Sequence, residues 1–301
     1  MLRLTSSPAI VVVLGAVGCN GGQWPSPPPV DPIAYQATYE KFLAGERAYA
    51  SEVLPTMGIW PLDEGATAFG SDRALPIPLP SADLPPHAGT FHRAGTRVTV
   101  SPTGDFALRL EDGSQIRAET EAKTVLAGRY RLAVTDVGDD RRWVTAFDTT
   151  HPAIASPPEL PAFPLDQKWR VAARFDRFDS PRQMRVPDVR GGFMEFTAVG
   201  QLVFRLNGEE FRLTAIGTEG QKRFAVWFKD QTNGRTTYGG YRSVSPEVVE
   251  DGEWTVLDFN FTYNPACAYS NFTTCPLPPP ENRLPVAIEA GLKQLPAAES
   301  Y

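Results

Sequence analysis

The stretch Leu202 to Ile216 constrains the fold more than any other in this chain. It reads LVFRL, then Asn207-Gly208, then EEFRLTAI. Asn-Gly suits the two positive φ angles of a type I′ turn, whose twist matches that of the strands it joins. Leu202, Phe204 and Leu206 alternate with polar or smaller neighbours, and Phe211 and Leu213 answer them across the turn. Such a pattern builds one apolar sheet face and fixes its register. Similar β-branched or aromatic runs recur upstream, as RVTVSP, FALRL, SQIRAET, RYRLAVTDV and RRWVTAFD between residues 97 and 148. Glu111-Asp112-Gly113 and Gly138-Asp139-Asp140 separate several of them. Further runs follow as KWRVAARF, RFAVWFKD, the Asn233-Gly234 turn, and EWTVLDFNFTY. Many short strands at this spacing indicate an all-β protein of sandwich or barrel type. The 29 prolines, roughly twice the usual share of about 5%, agree with short strands and long loops.

One segment breaks the β pattern. Asp31 is a good N-cap and Pro32 suits the first helical position. Tyr35, Tyr39, Phe42 and Leu43 then fall on one helical face. A helix over residues 31–53, packed across a β-domain, is expected. Residues 150–167 carry five prolines and no apolar period, and read as a linker or crossing loop. The organisation expected is a leader over 1–19, a flexible tether over 20–31, a helix with a small β-sandwich over 32–150, a Pro-rich linker over 151–167, and a second β-domain over 168–295. The six Trp are scattered and expected in the cores.

The first nineteen residues have the form of an export signal: Arg3, then a short apolar run. That run is shorter than the ~20 residues a membrane-spanning helix needs. It ends Ala16-Val17-Gly18-Cys19, which resembles a lipoprotein lipobox. The resemblance implies that Cys19 is lipidated and that the mature protein is anchored to a membrane, in the periplasm or at the cell surface. Asn20 follows, not the Asp that retains some lipoproteins at the inner membrane, so the outer membrane is preferred. A net charge of −6 with no basic run argues against nucleic acid as a partner.

With Cys19 so assigned, Cys267 and Cys275 remain. An exported chain meets a compartment where a disulfide persists, and a staple there would fix a Pro-rich loop. Zinc fits poorly, because structural sites want four ligands at closer spacing and the chain has three His. No metal site and no cofactor are expected. A nucleophilic Cys267 would need a base, for which His151 is a candidate, and the Asp258 carboxylate is another catalytic candidate. Around the cysteines, Asp258, Asn260, Tyr263, Asn264, Asn282 and Arg283, with Tyr238 upstream, form a candidate polar pocket. Strand alternation would put Asp258 and Asn260 on one face. Arg283 is suited to clamp a carboxylate or phosphate, or else pairs with Asp258 or Glu281. G-x-S-x-G, H-E-x-x-H, P-loop and dinucleotide fingerprints are absent from the sequence.

Residues 257–291 resemble the C-terminal hallmark of the bacterial domain-of-unknown-function family 1684. The resemblance rests on Asp258-Phe259-Asn260, on Tyr263-Asn264-Pro265-Ala266-Cys267-Ala268, on Cys275-Pro276-Leu277-Pro278-Pro279, on Asn282-Arg283-Leu284 and on Ala290-Gly291. Tyr238-Gly239-Gly240-Tyr241, Phe69 to Asp72 and His87 to Phe91 extend it over residues 33–293. Leu292 stands where the family usually has Glu, and Phe261 where it usually has a basic residue. The family implies no activity. The layout of Phe69 to Asp72, the Pro/Leu run and His87 to Phe91 is also similar to forkhead-associated domains. Ser71 replaces their phosphate-gripping Arg, so this likeness implies the sandwich shape alone. A binding module for a small molecule or envelope partner is favoured. A hydrolase or transferase using Cys267 or Asp258, and a purely structural envelope lipoprotein, are the alternatives.

Overall fold

The computed structural model describes residues 24–136, 140–188, 193–218 and 220–295. The expected leader, Cys19 and the Gly138-Asp139 turn lie outside them. Helix α1 (Pro32–Val53) begins where the sequence places it: the Asp31 Oδ1 atom accepts from the Ala34 amide at 2.8 Å. Eleven strands follow: β1 (Thr56–Leu62), β2 (Gly65–Gly70), β3 (Ile77–Pro78), β4 (Gly89–Ala94), β5 (Arg97–Pro102), β6 (Leu108–Arg109), β7 (Gln115–Ile116), β8 (Thr120–Glu121), β9 (Thr124–Ala127), β10 (Tyr130–Asp136) and β11 (Arg142–Asp148). Six of them form a sheet in the order β1-β11-β10-β9-β6-β7 and five another in the order β3-β2-β4-β5-β8. The two sheets close on one core that includes Phe69, Phe91, Val100, Leu132 and Val144. Two sheets sharing a core are a sandwich, as the sequence implies.

A short helix α2 (Pro152–Ala155) leads to the second set of strands: β12 (Arg170–Pro187), β13 (Phe193–Leu206), β14 (Glu209–Ile216), β15 (Val226–Phe228), β16 (Arg242–Val244) and β17 (Trp254–Asp258). The sheet order is β14-β13-β12-β17, with β15 and β16 paired separately. Asn207 and Gly208 have φ angles of 52° and 86°, the two positive values that a type I′ turn requires. They set Leu202 opposite Leu213 and Phe204 opposite Phe211, the register that the apolar pattern specifies. The all-β expectation is met, with α1 as the long helix.

Three expectations are corrected. β17 stops at Asp258, and Phe259–Phe261 form a 3-10 turn. The Asp258 Oδ1 atom accepts from the Asn260 amide at 3.1 Å, and this local bond competes with the strand ladder. Asp258 and Asn260 are therefore not neighbours on a strand face. Residues 24–30 are not a free tether: Trp24 Nε1 donates to the Ala172 carbonyl and Arg170 donates to that of Pro28. The Pro-rich segment runs as a crossing loop, one of the two readings expected of it: Ala162 pairs with Leu292 and the Phe163 amide donates to the Gly291 carbonyl. Finally, none of the six Trp is fully buried, and Trp254 is exposed. Trp60 packs against the first core and Trp169 against the second, each only partly buried, as so large a side chain commonly is. Trp24 packs edge-on against Trp254 and carries Arg205 over its face.

The second core gathers Phe175, Leu202, Phe204, Phe228, Leu257 and Phe259. Inside it lies Arg242, fully buried beside fully buried Asp230. Its guanidinium donates to Asp230 and to the carbonyls of Ala290 at 2.7 Å and Ile288 at 2.8 Å. The other Asp230 oxygen accepts from the Thr232 amide and hydroxyl. Removing one partner of a buried pair strands the other charge, at about 3–5 kcal/mol. Arg242→Ala should therefore lower unfolding free energy by about that amount in urea titration. The double change Arg242→Met with Asp230→Leu should recover much of it. A cost below about 1 kcal/mol for the single change would contradict this role.

Candidate functional site

Helix α1 docks on the end of β17 through a closed polar network. The Asp258 Oδ2 atom accepts from the Tyr35 hydroxyl at 2.8 Å and faces Arg170 Nε at 3.2 Å. Its Oδ1 atom takes two donors from Asn260, the amide N–H and the side-chain Nδ2 at 3.0 Å. Asn260 is buried, exchanging two bonds with the backbone of Asp166. Burial is the largest influence on Asp258 and raises its pKa above the usual carboxylate range, against the pull of these donors. Tyr35 is raised by burial and by Asp258. Four donors leave the carboxylate occupied, which suits a fastener for the helix better than a nucleophile. Apolar contacts finish the joint: Phe261 packs against the rings of Tyr35, Tyr39 and Phe42, with centroids 5.2–5.9 Å apart.

Two cavities flank this joint. One of about 860 Å³ runs between α1 and the strands, past Tyr35, Phe42, Arg170, Asp258 and Phe261. The other, about 440 Å³, lies beneath the last turns of the helix, against the Cys/Pro loop. Glu46 and Tyr263 line both. The smaller cavity has aromatic walls, from Tyr49, Trp227, Tyr241 and Tyr263. Its polar atoms are unusual. Glu46 Oε2, Asn264 Oδ1 and Thr274 Oγ1 are shielded from solvent with no hydrogen-bond partner. Buried polar atoms are nearly always paired in folded proteins, so these three are exceptions to the rule. Burial drives the Glu46 carboxyl up to about 7. It also raises Tyr49, Tyr241 and Tyr269, in the last case against an opposing influence of Asn264.

The expected pocket residues do not converge on one point. Asp258 and Asn260 belong to the helix joint. Tyr263 and Asn264 face the smaller cavity, and Asn264 Nδ2 is committed to the Lys293 carbonyl at 2.9 Å. Asn282 is a buried clamp that bonds both backbone groups of Thr214 and the Trp227 carbonyl. Arg283 is exposed and bridges through its backbone to Lys229. It pairs with neither Asp258, whose partner is Arg170, nor Glu281. Lys229 reaches the Gly239 carbonyl, beside half-buried Tyr238. Its pKa is lowered by burial and then by the Arg283 charge.

Cys267 and Cys275 are disulfide-bonded, with Cα atoms 6.3 Å apart. A bonded sulfur has no thiolate, so Cys267 is not a nucleophile in this state. His151 caps α2, its Nδ1 atom accepting from the Ala153 amide, and no hydrogen bond joins it to Cys267 among the described residues. Sequence reading missed Glu46, Tyr49, Thr274 and Tyr241 as site residues. The one available signal was Glu46, a charge one turn beyond the apolar face of α1.

With this geometry in hand, the relatives of the chain can be placed. Residues 158–293 match the family described as a protein of unknown function, DUF1684. The chain belongs to this family. The matched span holds β12 to β17 and the disulfide loop, and residues 33–157 fall outside it. Phe261 and Leu292 are both packing positions here. Phe261 receives α1, and fully buried Leu292 joins Ala50, Leu160 and Tyr269 in a third apolar cluster. No curated protein matches the chain. Among solved structures it is similar to the solution structure of an uncharacterized protein of Haloarcula marismortui. The identity is 31%, over 48% of this chain and 79% of that one, with a TM-score of 0.41.

Two measurements follow from the site. Above about pH 4.5, the unfolded chain releases the Glu46 proton, while the folded protein keeps it until about 7. Glu46 therefore costs stability as pH rises through that window. Relative to the parent, Glu46→Gln should gain up to about 3 kcal/mol between pH ~5 and pH ~8 in urea titrations. An unchanged difference across that range would mean Glu46 is solvated. Separately, reduction of the Cys267–Cys275 bond opens a short loop and should cost roughly 2–3 kcal/mol. Alkylation before and after reductant, read by intact mass, should find both thiols blocked until reduction.

Proposed function

We propose that the protein is a non-enzymatic binding module whose ligand sits in the cavities between α1 and the strands of the second core. The observation that carries this reading is the aromatic-lined cavity of about 440 Å³, between Tyr49, Trp227, Tyr241 and Tyr263, with the half-buried Glu46 carboxyl in its wall. A ligand supplying a donor to the Glu46 carboxyl would offset part of the burial that raises its pKa. The groups offered for catalysis are otherwise engaged: Asp258 by four donors, Cys267 in a disulfide, His151 as a cap. The leader sequence supports a lipid anchor at Cys19 and an envelope location, which would keep the binding face tethered near a membrane. No described helix is long and apolar enough to cross one.

The test is a fragment screen followed by amide NMR on isotope-labelled protein. Fragments should shift resonances of Glu46, Tyr49, Tyr241 and Asn264. Shifts gathered instead at Lys229, Tyr238 and Arg283 would move the site to that cationic surface. No shifts at either place would remove the binding reading.

A further inference from the structure

Lys229 and Arg283 are direct partners across a parallel β-bridge. The Lys229 amide donates to the Asn282 carbonyl at 2.9 Å, the Leu284 amide to the Lys229 carbonyl at 2.8 Å, and the Gln231 amide to the Val286 carbonyl at 3.0 Å. Side chains alternate between the two sides of such a pair. Phe228, Asp230, Asn282 and Leu284 are buried, so Lys229 and Arg283 share the outer side. The chain beneath each cation is held by a buried neighbour. Asp230 accepts from Arg242, and Asn282 bonds the backbone of Thr214 and Trp227. Like charges directly opposite one another on paired strands are destabilising. Nothing offsets them here: neither side chain makes an ion pair among the described residues. The Arg283 charge, with no carboxylate acting against it, adds to burial in lowering the Lys229 pKa. Lys229 gives one N–H to the Gly239 carbonyl at 3.0 Å and keeps two donors. Arg283 is exposed, and among the described residues its guanidinium makes no hydrogen bond, so the whole fork of donors is free.

We propose that Lys229 and Arg283 together bind a phosphate group, Arg283 donating to two of its oxygens and Lys229 to a third. The guanidinium fork matches phosphate geometry, and an ammonium adds a point charge beside it. A doubly negative group neutralises both cations and removes their repulsion. A carboxylate has two oxygens and one charge, enough for the Arg283 fork alone. A neutral ligand leaves the repulsion in place. Neither residue lines the cavities beside α1, so this site is separate from the binding reading above and does not rest on it. The phosphate can belong to a soluble ester or to a lipid headgroup, since the same chemistry recognises both.

Amide NMR of the whole protein tests it, with inorganic phosphate titrated at pH ~8, where a phosphate group is largely doubly charged. Constant ionic strength removes general screening. Resonances of Lys229, Gly239 and Arg283 should shift and saturate at millimolar phosphate, while those of Glu46 and Tyr49 stay still. Acetate should bind at least about tenfold more weakly, having one charge and one oxygen fewer to offer. Arg283→Gln alters an exposed side chain without partners, so the variant folds, and it should weaken phosphate at least about tenfold. Lys229→Gln should weaken it about three- to tenfold. Sedimentation with phosphatidylcholine vesicles, with and without phosphatidic acid, separates the two sources. Binding that requires phosphatidic acid and is lost in Arg283→Gln assigns a lipid headgroup; saturable shifts with free phosphate and no such sedimentation assign a soluble one. Equal responses to acetate and phosphate, or an unchanged phosphate affinity in Arg283→Gln, would overturn the proposal. Silence in both experiments would do the same and leave the cavity reading untouched.

Discussion

The buried pair of Arg242 and Asp230 is the contact on which the second half of the molecule depends. A short two-stranded unit, β15–β16, cannot hold itself in water, and among the described residues the chain after Asn282 has no long strand of its own. Arg242 solves both problems from one position. It binds Asp230, at the end of β15, and reaches the carbonyls of Ile288 and Ala290 in the C-terminal segment. The ordering continues outward from there. Gly291 takes a positive φ of 73° against the Thr262 backbone, where a Cβ would lie 2.5 Å from the Thr262 oxygen. The next residue, Leu292, bonds the Thr262 carbonyl, and Lys293 then orients the Asn264 amide. The flank of Arg242 on the other side is Tyr241, a wall of the smaller cavity. A salt bridge in a core thus fixes the walls of a surface-connected site.

Helix α1 shows how burial with and without partners separates two similar groups. Asp258 and Glu46 are both half-buried carboxyl groups beside the same helix, and burial pushes both upward. Asp258 meets Tyr35, Arg170 and Asn260 and becomes the fastening of the helix. Glu46 meets aromatic rings and no donor. The first arrangement is a complete network, which rigidifies. The second is an incomplete one, and the proposed ligand would supply its missing partner.

Much of the scaffold was legible because local chemistry and tertiary environment agree. Asn207-Gly208 demanded a hairpin whatever surrounded it, and the alternation of Leu202, Phe204, Phe211 and Leu213 could be buried in only one register. Asp31-Pro32 opened the helix for the same local reason. Legibility failed where a side chain answered to a distant partner. EWTVLDFNFTY reads as one strand, yet Asp258 ends it by bonding Asn260 and receiving Tyr35 from 223 residues away. The polar residues near the cysteines looked like one pocket because they are close in sequence. Asn282 in fact clamps β14 and β15, and Arg283 faces solvent.

By itself, then, the sequence determined an all-β chain with one long N-terminal helix, its hairpin register, and membership of a family without a known activity. Periodicity and turn chemistry act over a few residues, so they survive without knowledge of the fold. The tertiary structure alone decided which carboxyl is fastened and which is left unpaired, and which Asn has a free acceptor. Those outcomes depend on where α1 lands on the strands, through contacts between residues some two hundred positions apart. Desolvation is a property of the assembled surroundings, and no stretch of sequence carries it.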